Sequence, residues 1–274
     1  MEDKASNDLE TMKLVSLKHN KYKEEVQTKQ RLFWVICYWT ISLVFMNYIN
    51  ILSVDLTPVK VKPLPDIGHE AIKDLPSVDV SVLVACSLFV CVVVHTYLEW
   101  EKFGKNQLRH LFFIHSLLLN LRTLIIVLTS LPVTQEETTC EKKHNLHSRF
   151  LLALAFTFSE PSWVSKCAGF SFSGKTTLIV IYTLHLLQHL LQRRLWQLLV
   201  LFWSTFGVIC VIASKDTYTI GVILAIIFSS LLHFLFYTLL DLSYASEKYI
   251  PGGLRTVLLW LDYSEYEFYV SNKV

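Results

Sequence analysis

Apolar residues in this chain fall into long unbroken runs rather than stripes. The runs are Leu32–Leu52, Val80–Leu98, Leu111–Val133, Thr176–Leu191, Leu195–Ala213 and Ile220–Leu240. A helix rises about 1.5 Å per residue and needs about 20 residues to cross roughly 30 Å of hydrocarbon. Five runs meet that length. Thr176–Leu191 is shorter and carries His185, Gln188 and His189, so its far end is expected at an interface. Apart from Arg122, charges are missing all round each run rather than from one face, which argues against buried helices of a soluble bundle. The pattern predicts an all-α polytopic membrane protein. Six transmembrane helices occupy residues 32–241, between a polar tail (1–31) and a C-terminal tail (242–274).

Basic residues then orient the bundle. With the N-terminus inside, the cytosolic segments hold fifteen Lys and Arg against nine in the exoplasmic ones, and seven of the fifteen precede the first run. That bias places both termini in the cytosol. The first run is too long for the apolar core of a cleavable signal, so it reads as a signal-anchor helix. A composition that is 53% hydrophobic, with mean hydropathy +0.42, agrees with the membrane reading. A net charge of only +2 gives no argument for nucleic acid as a partner.

Cysteines add one local expectation. Cys37, Cys86, Cys91 and Cys210 lie in the runs as small apolar fillers. Cys140 and Cys167 share the exoplasmic loop Thr134–Lys175, where an oxidising environment permits a disulfide. The same loop contains the apolar stretch Phe150–Phe158, too short to span and expected to pack on the loop or the interface. In the C-terminal tail, Leu254–Leu261 is expected on the cytosolic membrane surface.

Specific chemistry gathers on the exoplasmic side. The fourth and sixth runs both start there, so two helix N-termini with free N–H groups point into one region and favour an anion. Ser173-Gly174 would let backbone approach closely. Lys175 and Lys215 add positive charge. Arg122 lies deep within a span, where an unpaired cation is costly; it is expected to face the interior and meet an anion, with Asp66 the competing partner. These features fit a site for a lipid phosphate, with no cofactor and no metal. Gly169-Phe-Ser-Phe-Ser-Gly-Lys-Thr176 satisfies the Walker A pattern, but that motif needs a preceding strand in a cytosolic βαβ unit and here precedes a membrane helix. His185 and His189, four residues apart, read as polar helix-end residues rather than metal ligands. His115 and His233 are expected to hydrogen-bond within the bundle.

The order and spacing of four motifs resemble the sphingomyelin synthase family, a branch of the lipid phosphatase/phosphotransferase superfamily, from about Pro63 to Tyr237. Pro63, Leu64, Pro65 and Asp66 are identical to that family's first motif. The second motif keeps Arg109, Arg122 and Leu131-Pro132, but His110, Leu119 and Ile125 stand at its other places. The third keeps Cys167, Ser173, Gly174 and Thr176, while Ala168, Gly169 and Lys175 depart. The fourth keeps Tyr218 and Thr219, while Thr217 and Gly221 depart.

The resemblance implies choline-phosphate transfer from phosphatidylcholine to ceramide, giving sphingomyelin and diacylglycerol. In the family, the fourth-motif His, oriented by an Asp, attacks phosphorus, and the third-motif His handles protons. Those places hold Thr217, Gly221 and Lys175 here, so no catalytic position is intact. Lysine, with an ordinary pKa near 10.4 against about 6.5 for histidine, stays a fixed cation at neutral pH. Threonine attacks only with a base beside it. Because such groups act as a unit, the triple change Lys175→His, Thr217→His, Gly221→Asp is the expected route to restored turnover. The expected protein is a catalytically impaired member in a secretory-pathway membrane (Golgi, ER or plasma membrane). It binds a phospholipid or sphingolipid phosphate through Arg122, Ser173, Gly174, Lys175 and Tyr218, or pairs in homo- or hetero-oligomers with active relatives. The alternative is an active head-group transferase or hydrolase using rearranged groups, such as Asp216–Thr217 or one of His69, His144 and His147.

Overall fold

The computed structural model describes residues 2–57, 62–72, 80–100, 104–129, 131–134, 146–155, 167, 170–189, 194–245 and 250–262. Among these residues the regular structure is entirely helical. The helices are α1 (Glu2–Leu56), α2 (Ile67–Ala71), α3 (Val80–Leu98), α4 (Lys105–Leu128), α5 (Leu146–Ala155), α6 (Gly174–His189), α7 (Arg194–Ala213), α8 (Thr219–Ala245) and α9 (Gly252–Leu261).

Five stretches among the described residues are long and apolar enough to cross a membrane: Gln27–Val54 within α1, Val80–Leu98, Lys105–Leu128, Arg194–Ala213 and Thr219–Tyr244. The remaining run predicted as a span forms α6, only 16 residues. At about 1.5 Å per residue it covers about 24 Å, short of the hydrocarbon thickness. Yet α6 is the innermost helix, packed against α3, α4, α7 and α8. Buried protein neighbours replace lipid along it, so its polar His185 and Thr183 need not meet hydrocarbon. Its shortness also sets the two ends of the bundle: Gly174 opens it at one end and His189 closes it at the other.

The first helix runs unbroken from Glu2 through Leu56, so residue 31 marks a change of composition rather than a break in the helix. Its apolar part packs along α4. That seam is polar for a membrane protein: Asn120 donates to the Tyr38 hydroxyl (2.8 Å) and the Ser42 hydroxyl (3.2 Å), and Trp39 Nε1 donates to His115 Nδ1 (3.1 Å). Such bonds hold helices together where no hydrophobic drive acts between them. The main core joins Val84, Leu88, Ile114, Leu118, Ile179, Ile181 and Val222, drawn from α3, α4, α6 and α8. By contrast α7 lies outermost, with Leu198, Phe202 and Ile209 exposed as expected of a lipid-facing helix.

At the Gly174 end, α5 supplies Ala153 to a second cluster with Ile51, Val54, Val133, Cys167, Phe170 and Tyr218. The apolar loop stretch therefore packs on the loop and the end of α1. Cys167 is disulfide-bonded, and the other Cys expected in that loop, Cys140, lies outside the described residues. Cys37, Cys86, Cys91 and Cys210 are free thiols. At the opposite end α9 turns back on the bundle, burying Leu258 and Leu261 while Leu254 and Val257 stay exposed.

Candidate lipid-phosphate site

Four segments meet at the Gly174 end: the extended stretch before α2, the turn after α4, the residues leading into α6, and the α7–α8 connection. Tyr218 is the post between them. It is buried, and its hydroxyl accepts from Leu64 N (3.2 Å) while facing the carbonyls of Pro132 (3.2 Å) and Val133 (3.3 Å), to either of which it can donate. Pro63-Leu64-Pro65 and Leu131-Pro132 supply these groups because proline leaves a chain extended and its carbonyls free of helix bonding. The Tyr218 hydroxyl is thus engaged in bracing the site.

Asp66 performs a double capping role. Its carboxylate accepts from the backbone N–H of Gly68 (2.9 Å) and His69 (3.3 Å) at the start of α2. It also accepts from the N–H (2.6 Å) and hydroxyl (2.5 Å) of Thr219 at the start of α8. Burial pushes this carboxyl upward, but the Thr219 bonds, with help from His69, outweigh it and hold Asp66 below its ordinary value of 3.8. The N-terminus of α8 therefore already has its anion, supplied by the chain itself. Asp66 is committed there rather than to Arg122.

The start of α6 differs. Ser173 caps it, its hydroxyl accepting from Thr176 N (3.3 Å) and meeting the Thr176 hydroxyl (2.9 Å). Gly174 lies directly against Arg122: a Cβ there would sit 2.5 Å from Nη1 and 2.8 Å from Cζ. Glycine is required because the guanidinium occupies the space of a side chain. Arg122 Nη1 points at Met46 Sδ (3.0 Å), a weak acceptor, and its Nε is buried without a partner. A cation pressed against the positive end of a helix is electrostatically unfavourable until an anion joins it. Next to it, Lys175 Nζ pairs with Asp216 Oδ2 at 2.6 Å, both side chains about one-quarter exposed.

The positions that the sequence marks as vacated are now placed. The Thr217 hydroxyl is buried without a partner. His69 Nε2 lies 3.0 Å from the Thr217 carbonyl, not on its hydroxyl, so it does not serve that oxygen as a base. Asp216 is occupied by Lys175. His144 lies outside the described residues, as does the side chain of His147 and the third-motif pair Ala168-Gly169. Gly221 packs on the segment entering α6: its carbonyl accepts from Ser173 N (3.2 Å), and an added Cβ would meet Phe170 O at 2.8 Å and Ser171 C at 3.2 Å. A side chain at 221 therefore requires the backbone of residues 170–172 to shift. Lys215, with φ of 55°, takes the left-handed conformation that turns the chain from α7 into this segment.

No family model matches the chain. Phosphatidylcholine:ceramide cholinephosphotransferase 1 of Caenorhabditis elegans is 28% identical over 187 residues, 62% of this chain and 38% of that protein. Phosphatidylethanolamine:ceramide ethanolaminephosphotransferase of Trypanosoma brucei brucei is 26% identical over 238 residues, 69% of this chain and 72% of that protein. Human sphingomyelin synthase-related protein 1 is 25% identical over 186 residues, covering 65% and 44%. These relatives support membership of the sphingomyelin synthase family. The chain spans less than half the length of the Caenorhabditis elegans and human relatives.

Within that family frame, the structure brings together Pro63–Asp66, Cys167, Ser173–Lys175 and Thr217–Gly221, with Arg122 against Gly174. It does not bring Arg109 to them. Arg109 is 13 residues before Arg122 on α4, about 20 Å along the axis, and is fully buried near Asn106 and Asp262 at the other end. Two features of the site escape the sequence reading. Lys175–Asp216 is an ion pair between residues 41 apart, and Asp66–Thr219 a clasp across 153.

Proposed function

We propose that this sphingolipid-related membrane protein binds the phosphate of a phospholipid or sphingolipid head group at Arg122 and Lys175 and does not transfer it. The observation that carries the reading is the Arg122 guanidinium at the start of α6, with Nε unpartnered and a sulfur as its hydrogen-bond acceptor. An incoming phosphate would satisfy the guanidinium and complement the helix end together. Ser173 and Gly174 hold the backbone there, and Tyr218 fixes the frame. The transfer chemistry named for the Caenorhabditis elegans and Trypanosoma brucei brucei relatives, phosphatidylcholine or phosphatidylethanolamine with ceramide, needs a nucleophile and proton carriers. Lys175, Thr217 and Gly221 do not supply them: one is paired, one has no base on its hydroxyl, and one has no room for a side chain. The ligand is phosphatidylcholine, sphingomyelin or a related lipid reached from the exoplasmic side of a secretory-pathway membrane. Association with active relatives would place such a binder beside a working enzyme.

Mass spectrometry of lipid co-purified with the intact protein tests the site. Arg122→Met should lower bound phospholipid at least several-fold while the protein stays folded by thermal melting. Unchanged lipid in a folded Met variant would remove Arg122 from the site.

A further inference from the structure

The end of the bundle opposite Gly174 contains a second polar concentration that the phosphate site does not use. Five imidazoles from four helices collect there: His95 (α3), His110 (α4), His185 and His189 (α6) and His233 (α8). The rings of His185 and His189 lie 4.6 Å apart and those of His95 and His189 6.0 Å apart. His110 and His233 flank Tyr237 at 5.8 and 4.9 Å. His185 is within electrostatic reach of all four other histidines. Glutamines hold one nitrogen of two rings: Gln107 Nε2 lies 3.2 Å from His189 Nδ1, and Gln188 Oε1 lies 3.0 Å from His233 Nε2. The remaining nitrogens His189 Nε2 and His233 Nδ1, with His95 Nδ1 and His185 Nε2, are buried and have no hydrogen-bond partner. Among the described residues no three ligating groups converge as a metal cage would require.

Unpartnered ring nitrogens of this kind bind a proton or a water. Among the described residues, fixed charges around the cluster are few. His110 Nε2 lies 3.4 Å from Asp262 Oδ1, but that carboxylate also takes bonds from Asn106 and Tyr244 and faces Arg109. Arg31, from α1, acts on Arg109. The outer helix α7, also packed on α6, contributes no titratable group to His185. A first proton taken up by the His185–His189 pair can be shared with a water. A second would place two cations side by side against the inner helix with no carboxylate of their own among the described residues, a repulsion that low-dielectric surroundings strengthen.

We propose that this imidazole cluster is a proton-binding centre, and that acidification below the ordinary histidine range loosens the packing of α6 against α3, α4 and α8. Because α6 runs from the cluster to Gly174, its seating also sets the position of the phosphate site.

The sign follows from linkage. The unfolded chain offers its histidines to protons without mutual repulsion, so it binds more of them below about pH 6.5, and stability rises with pH across that range. Thermal melting of the full-length protein in one detergent, between pH 7.5 and pH 5.5, should give a midpoint lower by several degrees at the acidic end. In His185→Gln/His189→Gln that difference should shrink by at least half. An undiminished difference in a folded double variant overturns the proposal. So does a midpoint raised by stoichiometric zinc, which would make the cluster a metal site. Histidine-labelled NMR of the unmodified protein needs no variant. It should find the His185 and His189 rings uncharged at pH 7.5; either ring charged at pH 7.5 would overturn the proposal equally.

Discussion

Gly221→Asp restores, on paper, the carboxylate that the resemblance expects in the fourth motif. In this structure it should damage the fold. The new Cβ would lie 2.8 Å from Phe170 O, 3.2 Å from Ser171 C and 3.3 Å from Phe172 N. These are backbone atoms, and the Ser173 N–H to Gly221 carbonyl bond ties the two segments together, so no flexible side chain can give way. Overpacking a close contact costs about 1–3 kcal/mol. The carboxylate then faces a carbonyl oxygen, and burying it without a donor adds roughly 1–3 kcal/mol. Its place in the first turn of α8 returns only about 0.3–1 kcal/mol. The net loss is about 1–6 kcal/mol, or a midpoint lower by roughly 2–20 °C at about 2–4 °C per kcal/mol. Gly221→Ala, carrying only the steric part, should lose about 1–3 kcal/mol. Tryptophan-fluorescence melting of both variants in the same detergent measures the effect. A Gly221→Asp midpoint within one degree of the unmodified protein would refute the close approach.

Three further outcomes follow from the site. Asp216→Asn should remove a negative charge beside Lys175, tightening binding of a short-chain phosphatidic acid several-fold by calorimetry. Stability should fall by no more than about 1 kcal/mol, because the pair is partly solvated. Asp66→Asn should lose charge-assisted bonds to Thr219 and destabilise by about 1–2 kcal/mol. Because Asp66 is held below 3.8, its stabilisation is present above that pH and lost as pH falls through the lower folded value. Melting midpoints from pH 5 downward should therefore drop less steeply in the Asn variant.

The membrane helices were legible because each apolar run is long and uninterrupted, a signal that needs no tertiary context. The stretch Phe150–Phe158 reads as too short to span; its described part, as far as Ala155, lies in α5. The run Thr176–Leu191 was harder. Its histidines suggested an interface at its far end; in the fold α6 is buried among four helices, and His189 stacks near the rings of His95 and His185. Residue 31 looked like a boundary because composition changes there, but helix hydrogen bonding is local and continues through it. The phosphate region was legible from Arg122, an expensive charge in a span, and from Ser173-Gly174 at a helix start. Its wiring was not. Asp66 and Arg122 are both natural partners by charge, and only the fold places Thr219 nearer to Asp66. The sequence could not reveal that Asp66 already fills one of the two helix ends, or that Gly221 is closed to a side chain. Both are consequences of contacts between segments far apart in the chain.

The central claim is that the phosphate frame persists without transfer chemistry. Its most direct test incubates the purified full-length protein with ceramide and head-group-labelled phosphatidylcholine or phosphatidylethanolamine, and follows label into sphingolipid. The account predicts bound phospholipid and no ceramide-dependent transfer above the buffer background. Robust transfer by the unmodified chain, abolished by Asp216→Asn, would contradict it and assign catalysis to a rearranged site.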